Sequence, residues 1–510
     1  MTTAVGSARS FGSVGTARLL RIELRRNTMI WMLPLLAVAF WFDCYHWVSA
    51  DTPVWYPRAA ELLNHELRDF SAFTAGVAAW VATRDSRRRT LDMVTSTPRP
   101  GWARLGATWA ATTAWVLAAY LACVAIVYGV TAAQVTWGGP PWWPAAVCAV
   151  ALVAVSAVGF AVGLFCPSRF TAPLVAILTL LLSSAIRSTS PYAMLWPTTN
   201  ASPGNTGGLP VAPADAGVFY HVLPDLPIAQ IMFLGGIGLA ALGVLGLSRP
   251  AAGGSRPAVG GRWLRGAAAA VTVAGLAAAG TAAGLTGTAR QSPYGVVIPA
   301  LHDAASDRPI PYTPVCGYDG AVPVCLHPAY RAYLDVVTTA AAPLLREMAG
   351  LPGAPVRVAE VPNDVLTSIK DGNSTVWWTA GSAITGTPPV FQVPMPQFPP
   401  GPAGLVQLTE DVQESLAVAF VNDERLIPPG TDPGDGVQAQ AAVELVLLRP
   451  FDQQAGQDVG ILAPDQGTPS PAVAAAAQRF AALPAAARHA WLADHLGALR
   501  AGQVTLAELP

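Results

Sequence analysis

Long uncharged stretches decide what this chain can become. Residues 105–130 and 144–165 contain no charged side chain. A helix needs roughly 20 apolar residues to cross a bilayer, and seven stretches reach or approach that length. The other five are residues 28–48, 70–83, 171–187, 226–247 and 266–287. The 70–83 stretch is short as bounded and extends back into the amphipathic run before it. The Ala/Gly-rich 266–287 stretch is the least hydrophobic, so whether it spans is open. Charged residues make up 12% of the chain, about half the usual ~25% of a soluble domain. The first reading is therefore a polytopic membrane protein.

Charge then divides the chain in two. Residues 1–289 carry 19 arginines against 10 acidic residues, whereas residues 290–510 carry 11 basic against 21 acidic. The apolar stretches also stop near residue 287. The expected fold is an α-helical polytopic membrane domain followed by an α+β soluble domain of ample size for its own core. In the soluble part, helices are expected at 327–348, 409–422, 437–448, 471–482 and 484–500. Strands are expected at 355–361, 375–380 and 389–395.

Arginine distribution orients the spans. Alternate short loops hold sixteen arginines on one side: five in the N-terminal segment, six at 84–104, Arg169, and four at 249–265. The other side holds Arg58, Arg68 and Arg187. Positive loops stay cytoplasmic, so the N-terminus is expected inside, in a multi-pass plasma-membrane protein. Seven spans place the tail outside; six would leave it in the cytoplasm. The first apolar run is too long for a signal-peptide core, and more follow. Residues 14–27, with Arg18, Arg21 and Arg25 at helical spacing, read either as a basic helix on the inner membrane surface or as an extension of the first span. Gly159 and Gly163, and likewise Gly280 and Gly284, have the spacing that permits close helix contact.

Cys316 and Cys325 lie in the tail, in VCGYDGAVPVCLHP. Glycines and a proline between them suit a hairpin closed by a disulfide, which persists only outside the cytoplasm. Free thiols, or a metal site with His327, are the alternatives; the Cys/His spacing matches no standard zinc pattern.

Catalytic motifs are missing. There is no H-E-x-x-H and no G-x-S-x-G, and the single lysine, Lys370, sits in TSIKDG, so no Walker A loop exists. Glu410, Asp411 and Glu414 open an expected helix, where the dipole favours negative charge; structural capping accounts for them. Asp43 and His46, near the outer end of the first span, are ionisable residues at membrane depth and so are candidates for a transport role, although there they can also simply reach water.

The densest charge in the chain is TRDSRRRTLDMVTSTPRPGWARL, residues 83–105. With no stacking aromatics or recognised fold, it is poorly placed for nucleic acid. Inner-leaflet charge that binds anionic lipid accounts for the arginines but not for RTLDMVTSTP. That string, following its charged cluster, resembles the loop between the second and third spans of ABC-2 type transporter permeases. Asp85 and Arg88 match the charged cluster, and Arg84 and Arg87 lie in the same loop. Thr90, Leu91 and Asp92 match the family's T-L-E, and Thr97 and Pro98 match its turn. Arg89 departs from the family's usual glycine.

The resemblance covers about residues 14–250. It implies a short cytoplasmic coupling helix that touches a separate ATPase subunit, and it makes Arg18, Arg21 and Arg25 part of a membrane-surface connecting helix. The implied organisation is a cytoplasmic N-terminus (1–27), a six-span permease domain (28–250), a loop with a seventh span (251–287), and an extracytoplasmic domain (288–510), an addition as in some actinobacterial members. The chain would bind no cofactor itself; ATP-Mg would be used by the partner. Partners would be the ATPase, a second permease copy or paralogue, and membrane lipid. The function expected is the non-enzymatic membrane subunit of a probable ABC exporter. The alternatives are a membrane-anchored extracytoplasmic binding or sensor protein, or a membrane-bound hydrolase.

Overall fold

The first apolar stretch folds as two helical pieces rather than one. In the computed structural model, α1 (Ser10–Arg25) leads into a 3-10 turn at Thr28–Trp31. Helix α2 (Leu33–Ala39) follows and widens into a π-helical turn at Phe40–Tyr45. Asn27 starts the break: its side-chain oxygen accepts the Met29 N–H at 2.9 Å. Pro34 in the first turn of α2 lacks the N–H that a continuous helix needs. The two halves, Ala17–Trp31 and Leu33–Tyr45, meet at 46°.

The structure describes residues 10–46, 48, 52–88, 101–185, 191–197, 216–247, 260–292, 295–362, 366–371, 374–379, 383–395, 401–422, 434–455 and 469–510. These form two units, one running essentially to Arg308 and the other from Pro309 onward.

The first unit continues with α3 (Trp55–Ala82), α4 (Gly101–Gln134), α5 (Trp142–Phe165), α6 (Thr171–Ala185), α7 (Asp225–Leu247) and α8 (Gly260–Thr286). Among the described residues, four helical stretches are long and apolar enough to cross a membrane: Trp102–Gln134, Trp142–Phe165, Asp225–Leu247 and Arg265–Thr286. The bent pair would be a fifth. Two of the seven expected stretches thus fall short. The 70–83 stretch is the end of α3, whose earlier turns carry Glu61, His65, Glu66, Arg68 and Asp69. The other is α6, only 15 residues long.

Small residues set the helix contacts. Helix α3 packs along α5 and α6, and α7 packs along α8 and α5. A Cβ added at Gly159 would stand 2.5 Å from the Ala75 carbonyl oxygen, and one at Gly163 equally close to that of Ala79. Gly280 and Gly284 share the spacing but meet nothing within 4 Å. Helix α8 approaches α7 through Gly275 instead, whose added Cβ would lie 2.5 Å from the Gly236 oxygen. We therefore expect Gly163→Leu to lower the thermal unfolding temperature of the detergent-solubilised chain, by an overpacking cost of about 3 kcal/mol. Gly280→Leu should leave it nearly unchanged.

The segment after α8 packs within this helical unit, although its loss of hydropathy groups it with the soluble part. It includes a short hairpin, β1 (Arg290–Ser292) with β2 (Gly295–Val297). Val296 and Ile298 are buried beside Leu226 and Ala229 of α7. The fully buried Asp225 accepts the Ile298 N–H at 2.9 Å. His302 bridges Asp225 at 3.2 Å and Asp307 at 3.1 Å. The Asp307 hydrogen bond, with the negative charge around it, holds the imidazole above its ordinary value.

The second unit is built on a five-stranded mixed sheet. Its strands are β3 (Val315–Tyr318), β4 (Pro323–Leu326), β5 (Arg357–Val361), β8 (Ala383–Thr385) and β9 (Val390–Pro394), in the order β3-β4-β5-β9-β8. The pairs β4/β5 and β5/β9 are parallel. Helix α9 (Leu334–Met348) makes the β4-to-β5 crossover and buries Val337, Ala341, Leu344 and Met348. A separate hairpin pairs β6 (Leu366–Asp371) with β7 (Ser374–Thr379). Helices α10 (Gly401–Val421), α11 (Asp435–Ala455), α12 (Pro471–Ala482) and α13 (Ala485–Arg500) complete the unit.

Cys316 and Cys325 face each other in the β3/β4 register and form a disulfide, with Cα atoms 4.0 Å apart. The free-thiol and metal alternatives are thereby set aside. His327 instead opens the 3-10 turn at Pro328–Tyr333, its Nδ1 accepting the Ala329 N–H at 3.1 Å. Burial pushes this imidazole down to about 4.

Candidate functional site

The arginine run does not act as one basic patch. Helix α3 ends at Ala82 and a single further turn, Arg84–Arg87, follows. Arg84 turns inward and grips Glu23 of α1 with both terminal nitrogens, at 3.1 and 3.0 Å. Glu23 is only 8% exposed, so this fork-to-fork pair is partly desolvated and geometrically specific. Asp85 accepts from Arg104, in the first turn of α4, at 2.8 Å. Arg84 Nε also lies 3.7 Å from Asp85. Glu23, Arg84, Asp85 and Arg104 thus make an ionic chain that ties α1, the turn after α3, and α4.

Arg87 has a different partner. Its guanidinium lies 3.3 Å from the centre of the Trp80 ring and donates to the Trp80 carbonyl oxygen at 2.7 Å. Stacking of this kind holds a cation without a counter-ion. Arg88 is exposed. Arg89, Thr90, Leu91, Asp92, Thr97 and Pro98 lie outside the described residues, as does Arg99.

Helix α1 is two-sided. Arg18, Arg21 and Arg25 are exposed, on one face at helical spacing. Glu23 is buried, and beside it the Leu24 carbonyl oxygen accepts Trp115 Nε1 of α4 at 2.8 Å. Asn27 Nδ2 donates to Thr112 Oγ1, also of α4, at 3.0 Å. The basic helix and the turn after it are therefore each fixed to α4 by one hydrogen bond, and the helix to the 84–87 turn by the bidentate pair. Sequence reading overlooked Glu23, although it is the single acid in the first 42 residues. An acid placed alone among arginines was the available signal.

Asp43 is engaged from α3, by His65 at 3.1 Å and by Arg68. One expectation changes. Glu410, Asp411 and Glu414 do not cap a helix, because α10 begins at Gly401 and places them well inside it. Burial raises Asp411, with Glu410 adding to the effect, and burial likewise raises Glu414. Glu444 of α11 is pushed up to about 7 by burial, with Glu414 as the next contributor. No group of three or more metal-binding side chains is present among the described residues.

No protein-family model, curated protein or solved structure matches this chain.

Proposed function

We propose that this chain is the membrane-spanning permease subunit of an ABC-2 type exporter. It works with a separate cytoplasmic ATPase subunit, which supplies the ATP-Mg chemistry, and with a second copy or a paralogue. The observation that carries this reading is the Glu23–Arg84 pair with Asp85–Arg104 behind it. A loop that receives force from a partner is useful only if it is rigidly joined to the helices it must move. Here the first turn of the loop is joined to α1 and α4 together. The loop motif that follows it, RTLDMVTSTP, supplies the docking segment.

The remaining features fit the same reading. Exposed Arg18, Arg21 and Arg25 suit an anionic membrane surface, at about 1 kcal/mol each. The arginine bias puts this surface and the 84–104 loop in the cytoplasm. Reading α3 and α6 as crossings as well, for seven in all, puts the C-terminal unit outside, where the Cys316–Cys325 bond is stable. Leu174, Ile177, Leu178 and Leu181 of α6 are more than half exposed, as lipid-facing side chains would be.

The test is affinity purification of the full chain from native membranes. A P-loop ATPase should co-purify, and charge reversal at Arg87, Arg88 and Arg89 should abolish coupling of its hydrolysis to transport. Absence of any such ATPase, or unchanged coupling in the reversed variant, sinks the proposal. Thiol labelling of intact cells checks sidedness separately: Cys316 should react with an impermeant reagent only after reduction.

A further inference from the structure

A second polar group of the helical unit lies on α3. Asp43, in the π-helical turn, meets His65 at 3.1 Å and is also bonded by Arg68. His65 reaches Glu61 at 3.4 Å, and Arg68 reaches Asp69 at 3.4 Å. These side chains keep between 18% and 40% of their surface exposed, so the network touches the outside of the bundle.

Glu66, on the same helix, points the other way. It is 1% exposed, and its Oε2 has no hydrogen-bond partner among the described residues. Titratable groups from three other elements bear on it: Cys44 of the π-helical turn, Tyr120 and Cys123 of α4, and Cys148 of α5. None brings positive charge. The Tyr120 hydroxyl is committed to the Ala145 carbonyl oxygen at 3.1 Å. The charged groups that act on Glu66 are Asp69 and Asp43, both acidic. Leu62 and Phe70, one turn before and after it on α3, are buried in the core. Ionising a carboxylate buried with one oxygen lacking a donor, and with no counter-ion beside it, costs free energy. The backbone opposite is a π-helical turn, a rare form that recurs at functional sites.

We propose that Glu66 is a proton-binding site of the helical unit, loaded in the packed bundle and discharged when α3 moves against the π-helical turn. On discharge the Glu66 O–H breaks and the proton goes to water admitted by the opened contact. Any rearrangement that opens this contact is therefore linked to proton release. The inference stands apart from the ATPase reading, since it needs no partner subunit.

Dicyclohexylcarbodiimide provides the test on the full chain in membranes. It adds the O–H of a protonated carboxylic acid across one C=N bond, and the product rearranges to a stable N-acylurea that mass spectrometry can locate. At acid pH, Glu66 should be modified in preference to Asp43, Glu61 and Asp69. The label should be lost at alkaline pH and in Glu66→Gln, and that variant should melt no lower than wild type. Wild-type Glu66 that stays unmodified at acid pH overturns the proposal. So does Glu66→Gln that is destabilised or fails to fold, because it would mean that the native group is an ion held by a partner.

Discussion

Arg84→Glu lowers the melting temperature of the full chain, and adding Glu23→Arg restores most of the loss. The single change places two carboxylates face to face where Glu23 is 8% exposed. Breaking a buried pair costs about 3–5 kcal/mol. The Arg84 side chain keeps 27% of its surface in solvent, so screening brings the expected loss to about 2 kcal/mol. The swapped pair regains the attraction but not the full geometry, since guanidinium and carboxylate differ in reach. A structural role alone predicts recovery of stability by the double variant and nothing more. The coupling role predicts that Arg84→Ala also uncouples the co-purified ATPase while leaving its basal hydrolysis intact. Equal melting of wild type and Arg84→Glu would show that the pair holds nothing together.

The same pair shows where sequence reading succeeds and where it stops. Uncharged runs such as 144–165 identify α5 because burying a helix in lipid requires only composition and length. The paired cysteines around Gly317, Gly320 and Pro323 pointed to the β3/β4 hairpin because ring closure is local. The Glu23–Arg84 contact joins residues far apart in the chain, and no local rule selects one arginine of six. Glycine spacing failed for a related reason: Gly159 and Gly280 look alike in sequence, and only the neighbouring helix decides which is in contact. The start of α10 was missed because GPAG reads as a loop. Pro402 is nevertheless well suited to a first helical turn, where its missing N–H would have had no partner.

That misplaced helix start leads to the second large effect, which concerns pH. With α10 beginning at Gly401, Asp411 and Glu414 lie inside the helix, and Glu444 of α11 adds to the acidic group. Burial, then Glu414, lifts Glu444 from 4.5 to about 7. A carboxyl whose native value is raised binds more protons folded than unfolded, so stability falls as pH rises. Its contribution is complete below 4.5 and is lost as pH climbs through about 7. The span corresponds to about 3 kcal/mol. Asp411 and Glu414 are raised as well and act in the same direction. Glu444→Gln keeps the shape and removes the ionisation. We expect it to match wild type in acid and to exceed it above neutrality, flattening the pH dependence. Hydrogen exchange of the α10 and α11 amides in the full chain is the appropriate readout, because a single melting temperature would mix the two units. Slower exchange in the variant at alkaline pH is the expected result. Faster exchange would mean that the native carboxylate is ionised and held by a counter-charge, which would reverse the sign of its contribution.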